Sequence, residues 1–317
     1  MEVVLDYVDA AVLDVVYESA RQRIQLNFCP LLHDKAPSLE SVGALRKLAA
    51  NLCHLATDTD SWARHSMLRQ SISIFLLTWL LPTFFYFFFG TICYYQNFDP
   101  SLKNHPKFQP CQVRREMVDS LLALFWGSVL TVPVLLAQIH GFSKIYQFGS
   151  ASWWYEVAQF PFFVLFSDTC MYWLHRIFHA PALFKLLHSK HHQYVIPTPF
   201  SAYAFDPLEA WIMSLPLYAF GFIWPMSDFA QLAVFCGTNV WTFLLRTTPH
   251  ALYPLLAIPT CQMLMTLLAD DNRDQFHTVH HKNINVNFGQ YLPLWDRLGG
   301  TYRDPEIFLK PSLRSKR

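Results

Sequence analysis

The clearest apolar stretch of the chain is residues 71–95 (SISIFLLTWLLPTFFYFFFGTICYY), which carries no charge over its whole length. It exceeds the roughly 20 residues a helix needs to cross hydrocarbon, so it predicts a membrane span. Residues 120–139 predict a second span. Residues 150–174 predict a third, entered through Trp153-Trp154 and interrupted by Glu156 and Asp168. Two shorter apolar stretches, 208–225 and 229–245, are separated only by Met226-Ser227-Asp228, a pattern expected of a helical hairpin that enters the bilayer and returns. Ala251–Ala269 is apolar but broken by Pro254 and Pro259, which favours an interfacial segment over a straight span. Residues 1–68 mix polar and apolar positions and predict one or two amphipathic helices. The expected fold is therefore all-α: polytopic membrane helices, with one N-terminal span and two hairpins. The chain divides into an N-terminal extension (1–68), a membrane domain (69–305) and a basic C-terminal tail (306–317).

Composition agrees with that class. The chain is 53% hydrophobic and 15% charged, against roughly 25% charged in soluble domains. The net charge of +1 supplies no basic field of the kind that draws nucleic acid, so that partner class is excluded. Glu2, Asp6, Asp9 and Asp14 stand where a secretory signal carries positive charge, so no cleaved signal is expected. The seven cysteines (Cys29, Cys53, Cys93, Cys111, Cys170, Cys236, Cys261) are odd in number and without CxxC spacing. They read as small apolar residues or reduced thiols rather than a disulfide framework or thiolate metal site.

Chemistry concentrates in the histidines. Eight of fourteen fall in three five-residue boxes: His175 and His179; His188, His191 and His192; His277, His280 and His281. Positions i, i+3 and i+4 share one helix face, so each box can aim two or three imidazoles at one spot. A structural zinc needs only four ligands, so eight imidazoles point to two divalent ions with open coordination positions. Imidazole suits zinc, copper, iron and nickel alike, and the boxes alone do not name the metal. His250, beside Pro249, reads as a ninth ligand or as polar surface; His33, His54, His65, His105 and His140 have no partner at ligand spacing. Asp168, two turns before His175 on the same face, sits in an apolar stretch where an unpaired carboxylate costs roughly 2.5–3.5 kcal/mol. It reads either as an acceptor that fixes an imidazole N–H behind the metal or as an interfacial aspartate reaching water. The stretch Gly289–Gly300, with Asp296-Arg297 as a possible ion pair, reads as a lid or scaffold beside the metal.

A single site requires all boxes on one face of the membrane. The connection 96–118 on that face carries Lys103, Lys107, Arg114 and Arg115, whereas the opposite loop 140–149 carries only Lys144. The positive-inside rule then puts a histidine-rich metal cap in the cytosol. Arg64 and Arg69, beside a span that must start outside, have the wrong sign for this orientation.

The order HxxxH, HxxHH, HxxHH resembles the fatty acid hydroxylase superfamily of membrane di-iron oxygenases. Further matches are His105-Pro-Lys-Phe, Gln112-Val-Arg-Arg-Glu116, Asp168 before Trp173-Leu-His175-Arg176, Ile196-Pro-Thr-Pro-Phe200, Phe288-Gly-Gln-Tyr291 and Leu294-Trp-Asp-Arg-Leu-Gly-Gly300. Together they resemble the sterol C5-desaturase family over roughly residues 67–248 and 275–305. The chain departs from that pattern at Arg246–His250, at Asp274-Gln-Phe276 and at Ala202–Pro207, where two family histidines are replaced. The resemblance implies an endoplasmic reticulum enzyme with two Fe ions that uses O2. Electrons would reach it from NAD(P)H through cytochrome b5 and its reductase, and it would introduce the C5–C6 double bond of a Δ7-sterol drawn from the membrane lipid. Desaturation and hydroxylation diverge only after the first hydrogen abstraction, so a lipid or sterol hydroxylase stays open at this point. So does a metal-binding membrane protein without oxygen chemistry.

Overall fold

The computed structural model describes residues 62–244 and 279–304 apart from Lys282, together with 5–29 apart from Tyr7 and with 50, 51, 53, 54 and 58. The expectations for His250, His277 and Ala251–Ala269 lie outside the described residues. The structure is mostly helical. After α1 (Asp14–Arg23) come α2 (Met67–Asn97), α3 (Gln112–Ala137), α4 (Trp153–Phe178), α5 (Pro207–Ile223), α6 (Asp228–Leu244) and a short α7 (Leu294–Leu298).

Helix boundaries follow local chemistry. Ser66 caps α2 by accepting the Arg69 N–H, and Asp206 caps α5 by accepting the Leu208 N–H with Pro207 at the first helical position. Pro82, Pro133, Pro161 and Pro216 lie inside α2, α3, α4 and α5, a pattern tolerated where neighbouring helices and Ser/Thr side chains satisfy the freed backbone. Among the described residues two helices are long and apolar enough to cross a membrane, Met67–Gln96 and Gln112–Phe142. Their outward side chains are not those of a soluble core: Phe84 is 59% exposed and Trp126 49%. The 150–174 stretch forms a helix that runs on to Phe178, so that His175 lies in its last turn and His179 caps it. The 208–225 and 229–245 stretches form α5 and α6, with Met226-Ser227 between them.

Helix α3 packs between α2 and α5, α5 also packs on α4, and α6 touches α2, α4 and α5. At one end of this layer the loop after α2 and the start of α3 meet the 189–201 segment. Gln109 Nε2 donates to the Gln193 carbonyl at 3.0 Å, Gln112 Nε2 donates to that of Ile196 at 2.7 Å, and Lys190 pairs with Asp119 at 2.9 Å. At the other end β1 (Ile145–Tyr146) and β2 (Met226–Ser227) form a two-residue parallel pair. Gly221 sits against β1 so closely that a Cβ would stand 2.6 Å from Ile145 Cδ1.

The N-terminal helix docks at the beginning of α2. Tyr17 and Ser73 hydroxyls are 2.9 Å apart, Arg69 pairs with Asp9 at 3.1 Å and with Asp14, and Arg64 pairs with Asp14 at 2.5 Å. Arg64 and then Arg69 hold the Asp14 carboxyl down at about 2. The thiol expectation needs one correction: Cys29 and Cys53 form a disulfide, whereas Cys93, Cys111, Cys170 and Cys236 are free. The bonded pair is 24 residues apart, a separation that carries no local spacing signature.

Candidate metal centre

The last turn of α4 supplies the first box. His175 is buried, and His179 caps the helix with its N–H on the His175 carbonyl. Ala180 leaves the helical region, Pro181–Leu183 starts a new turn, and Phe184–His188 is wound as a π-turn followed by a 3₁₀ turn at His191–Gln193. This uneven winding carries His188, His191 and His192 onto the face of His175 and His179. His280 arrives from the far segment with its ring 4.5 Å from that of His175.

Ligand atoms of His175, His179, His188, His192 and His280 all lie within 4.8 Å of one another. His188 Nε2 is 2.9 Å from His179 Nε2 and 3.0 Å from His192 Nε2. Ring nitrogens at such separations are favourable only with a proton or a cation between them. His191 stacks on Phe205 at 4.5 Å, and the His281 ring is 4.6 Å from His191 and 4.9 Å from His192. All seven described box histidines are thus gathered in one place, with His192 between the group of five and the His191–His281 pair.

The outer nitrogens have acceptors assigned to them. His175 Nδ1 meets the Phe288 carbonyl at 2.9 Å, His280 Nδ1 the Val286 carbonyl at 2.7 Å, and His188 Nδ1 the Glu209 carboxylate at 2.5 Å. An Nδ1–H donated outward leaves the Nε2 lone pair facing the cluster, the tautomer a metal ligand requires. Burial, then the neighbouring His175, His188 and His192, pushes His179 down to about 2, so its ring is neutral and able to ligate at neutral pH. His175 Nε2 and His179 Nδ1 are buried without a hydrogen-bond partner. A set of buried imidazole donors with orphaned nitrogens fits a transition-metal centre.

Asp168 does not reach an imidazole, which corrects the sequence reading. Its Oδ1 accepts the backbone N–H groups of Tyr291 and Leu292 at 2.8 and 3.1 Å. Asp296 does not form its main contacts with Arg297: its two oxygens accept Phe288 and Gly289 N–H at 2.8 and 2.7 Å. The two aspartates hold the 286–292 loop whose carbonyls receive His175 and His280. Gly289 is required there, because a Cβ would lie 2.5 Å from the Leu292 carbonyl oxygen and 2.9 Å from Asp296 Oδ2. Asn287 turns the loop in the left-handed region (φ 58°) and exchanges two hydrogen bonds with Arg303. Trp295 Nε1 donates to Thr169 Oγ1 and docks α7 on α4. Asp168→Ala leaves two N–H groups without their acceptor, at about 1–3 kcal/mol each, and is expected to lower the thermal-inactivation midpoint in detergent. Asp168→Asn keeps one acceptor oxygen and is expected to do less. Equal effects of the two changes would contradict loop anchoring.

Sequence reasoning missed Glu209. It is fully buried in the first turn of α5, and the available signal was a single acidic residue inside an otherwise apolar helix. A cavity of about 220 Å³ begins at His175, His188 and His191 beside Glu209 and extends between α2, α3, α5 and α6 to Thr78, Thr131 and Tyr218.

A histidine cluster at the head of a cavity among apolar helices defines a class of membrane protein, and the comparisons narrow it. The family model described as Fatty acid hydroxylase matches residues 160–301, which contain all three boxes. The chain is 37% identical over 254 residues to the Delta(7)-sterol 5(6)-desaturase of Leptosphaeria maculans, covering 78% of this chain and 67% of that one. It is 34% identical over 322 residues to a Delta(7)-sterol 5(6)-desaturase of Aspergillus fumigatus (98% and 88% covered). It is also 34% identical over 263 residues to the Lathosterol oxidase of Homo sapiens (78% and 80% covered). No solved structure matches. The chain belongs to the sterol C5-desaturase family of the fatty acid hydroxylase superfamily.

Proposed function

We propose that this protein is an oxidase of sterol biosynthesis that introduces the C5–C6 double bond into a Δ7-sterol. The observation that carries the reading is the buried histidine cluster heading an apolar cavity in a chain closely related to named desaturases. The seven described histidines, with His277 and His250 from outside the described residues, are read as holding two Fe ions. Such ions supply the redox chemistry with O2 that an unactivated C–H bond demands and no side-chain base provides. The reaction removes one hydrogen from each of C5 and C6. With O2, two electrons passed from NAD(P)H through cytochrome b5 and its reductase, and two protons from the solvent, it yields the alkene and two waters. The chain's own residues do the rest. Glu209 and the Val286 and Phe288 carbonyls orient His188, His280 and His175, Asp168 and Asp296 brace the loop that bears those carbonyls, and the cavity aligns the rigid sterol while excluding water.

The reading includes an endoplasmic reticulum location with the boxes facing the cytosol, where cytochrome b5 has access. Two observations support that orientation. The loop 96–118 on the face of the boxes carries Lys103, Lys107, Arg114 and Arg115, whereas Arg64 and Arg69 at the start of α2 run against the rule. The segment that docks with them carries the Cys29–Cys53 disulfide, which persists in an oxidising lumen. Expression in cells lacking sterol C5-desaturase, followed by mass spectrometry of sterols, tests the activity. The expected product is the Δ7-sterol less two hydrogens; a product that instead gains one oxygen identifies a hydroxylase.

A further inference from the structure

Polar side chains interrupt the cavity wall at several places, and most of them are spent on their own helix. The hydroxyls of Thr78 and Thr131 return their protons to the backbone one turn back, the usual way an apolar helix absorbs such residues. One pair differs. Tyr203, in the loop before α5, donates its hydroxyl to Asn239 Oδ1 on α6 at 2.7 Å, a bond between side chains of separate elements. Asn239 is itself buried and gives one amide N–H to the Phe235 carbonyl at 2.7 Å. By the inventory of these groups, the pair keeps a second amide N–H and lone pairs on both oxygens. A group that both donates and accepts, a hydroxyl, satisfies it.

The pair also stands in the right place. The Phe205 N–H bonds the Tyr203 carbonyl at 2.8 Å, and the Phe205 ring lies flat on His191. In a 3-hydroxysterol a single ring carbon separates the hydroxyl-bearing carbon from C5. Whatever holds the hydroxyl must therefore adjoin the histidine wall, and the rest of the cavity is left to the hydrocarbon rings and tail of the sterol. We infer that Tyr203 and Asn239 receive the 3-hydroxyl of the substrate and so set which ring carbons meet the metal centre, an inference that rests on the desaturase reading above.

The test compares a Δ7-sterol with its 3-deoxy analogue in membranes containing the full-length protein, cytochrome b5 and its reductase. Wild type is expected to prefer the hydroxylated sterol in kcat/KM by roughly 10- to 100-fold. In Asn239→Leu and in Tyr203→Phe that ratio should fall toward one, and Asn239→Leu should scatter the double bond among ring positions. Wild type that uses both sterols equally overturns the inference and leaves the desaturase reading intact. Variants that slow both substrates with the ratio unchanged also overturn it, because a purely structural role predicts that result. Wild type that turns over neither sterol overturns the desaturase reading itself.

Discussion

His188→Ala is expected to abolish desaturation and to strip the protein of its metal while leaving it inserted in the membrane. His188 is the central ring of the cluster, with its Nε2 between those of His179 and His192 and its Nδ1 on Glu209. Removing the ring deletes one ligand and unseats two more. It also leaves a fully buried carboxyl group without its partner, which costs about 1–3 kcal/mol. Loss of activity in this variant could therefore reflect damage to the fold. His280→Ala separates the two effects, because the Nδ1 partner of His280 is the Val286 backbone carbonyl and losing that bond is less costly. Both variants are expected to resist carbonate extraction from membranes, to carry little iron by elemental analysis and to give no diene. Full turnover by either removes that histidine from the ligand set.

What the sequence made legible and what it hid divide along one physical line. The spans over 71–95 and 120–139 and the three boxes were readable because their signals are local: a charge-free run of sufficient length, or imidazoles repeated at helical spacing. The convergence of the boxes was readable only as a requirement of chemistry, and the structure brings the described seven together. Three things escaped. The route from His179 to His192 is a proline-started turn, a π-turn and a 3₁₀ turn, a winding that no single period describes. Asp168 was placed on the correct helix face with two readings open, and neither named its partner, because its acceptor role depends on Tyr291 and Leu292, more than a hundred residues away. Glu209 was passed over because an apolar run with one carboxylate reads as a membrane segment until a histidine is seen against it. In each case the missing information is a contact distant in sequence, which composition and periodicity do not encode.

The second large effect is expected at that overlooked carboxylate. Glu209→Gln preserves shape and an acceptor oxygen, but it removes the carboxyl group that meets Nδ1 and fixes the tautomer of His188. Changing an outer partner of this kind typically lowers metal affinity or activity by 10- to 100-fold, and that range is expected for iron retention against a chelator and for turnover. The fold should tolerate the change better than His188→Ala, because the glutamine amide is neutral and can still meet Nδ1–H. If the carboxylate acts only through the ring it touches, the two residues form one unit, and Glu209→Gln should cost nothing further in a His188→Ala background. That comparison is best read in residual iron content, since turnover is already absent. A fully active Glu209→Gln protein would show that His188 is oriented by the surrounding backbone alone. An additional loss of iron in the double variant would show that the carboxylate reaches the metal centre by a route that does not pass through His188.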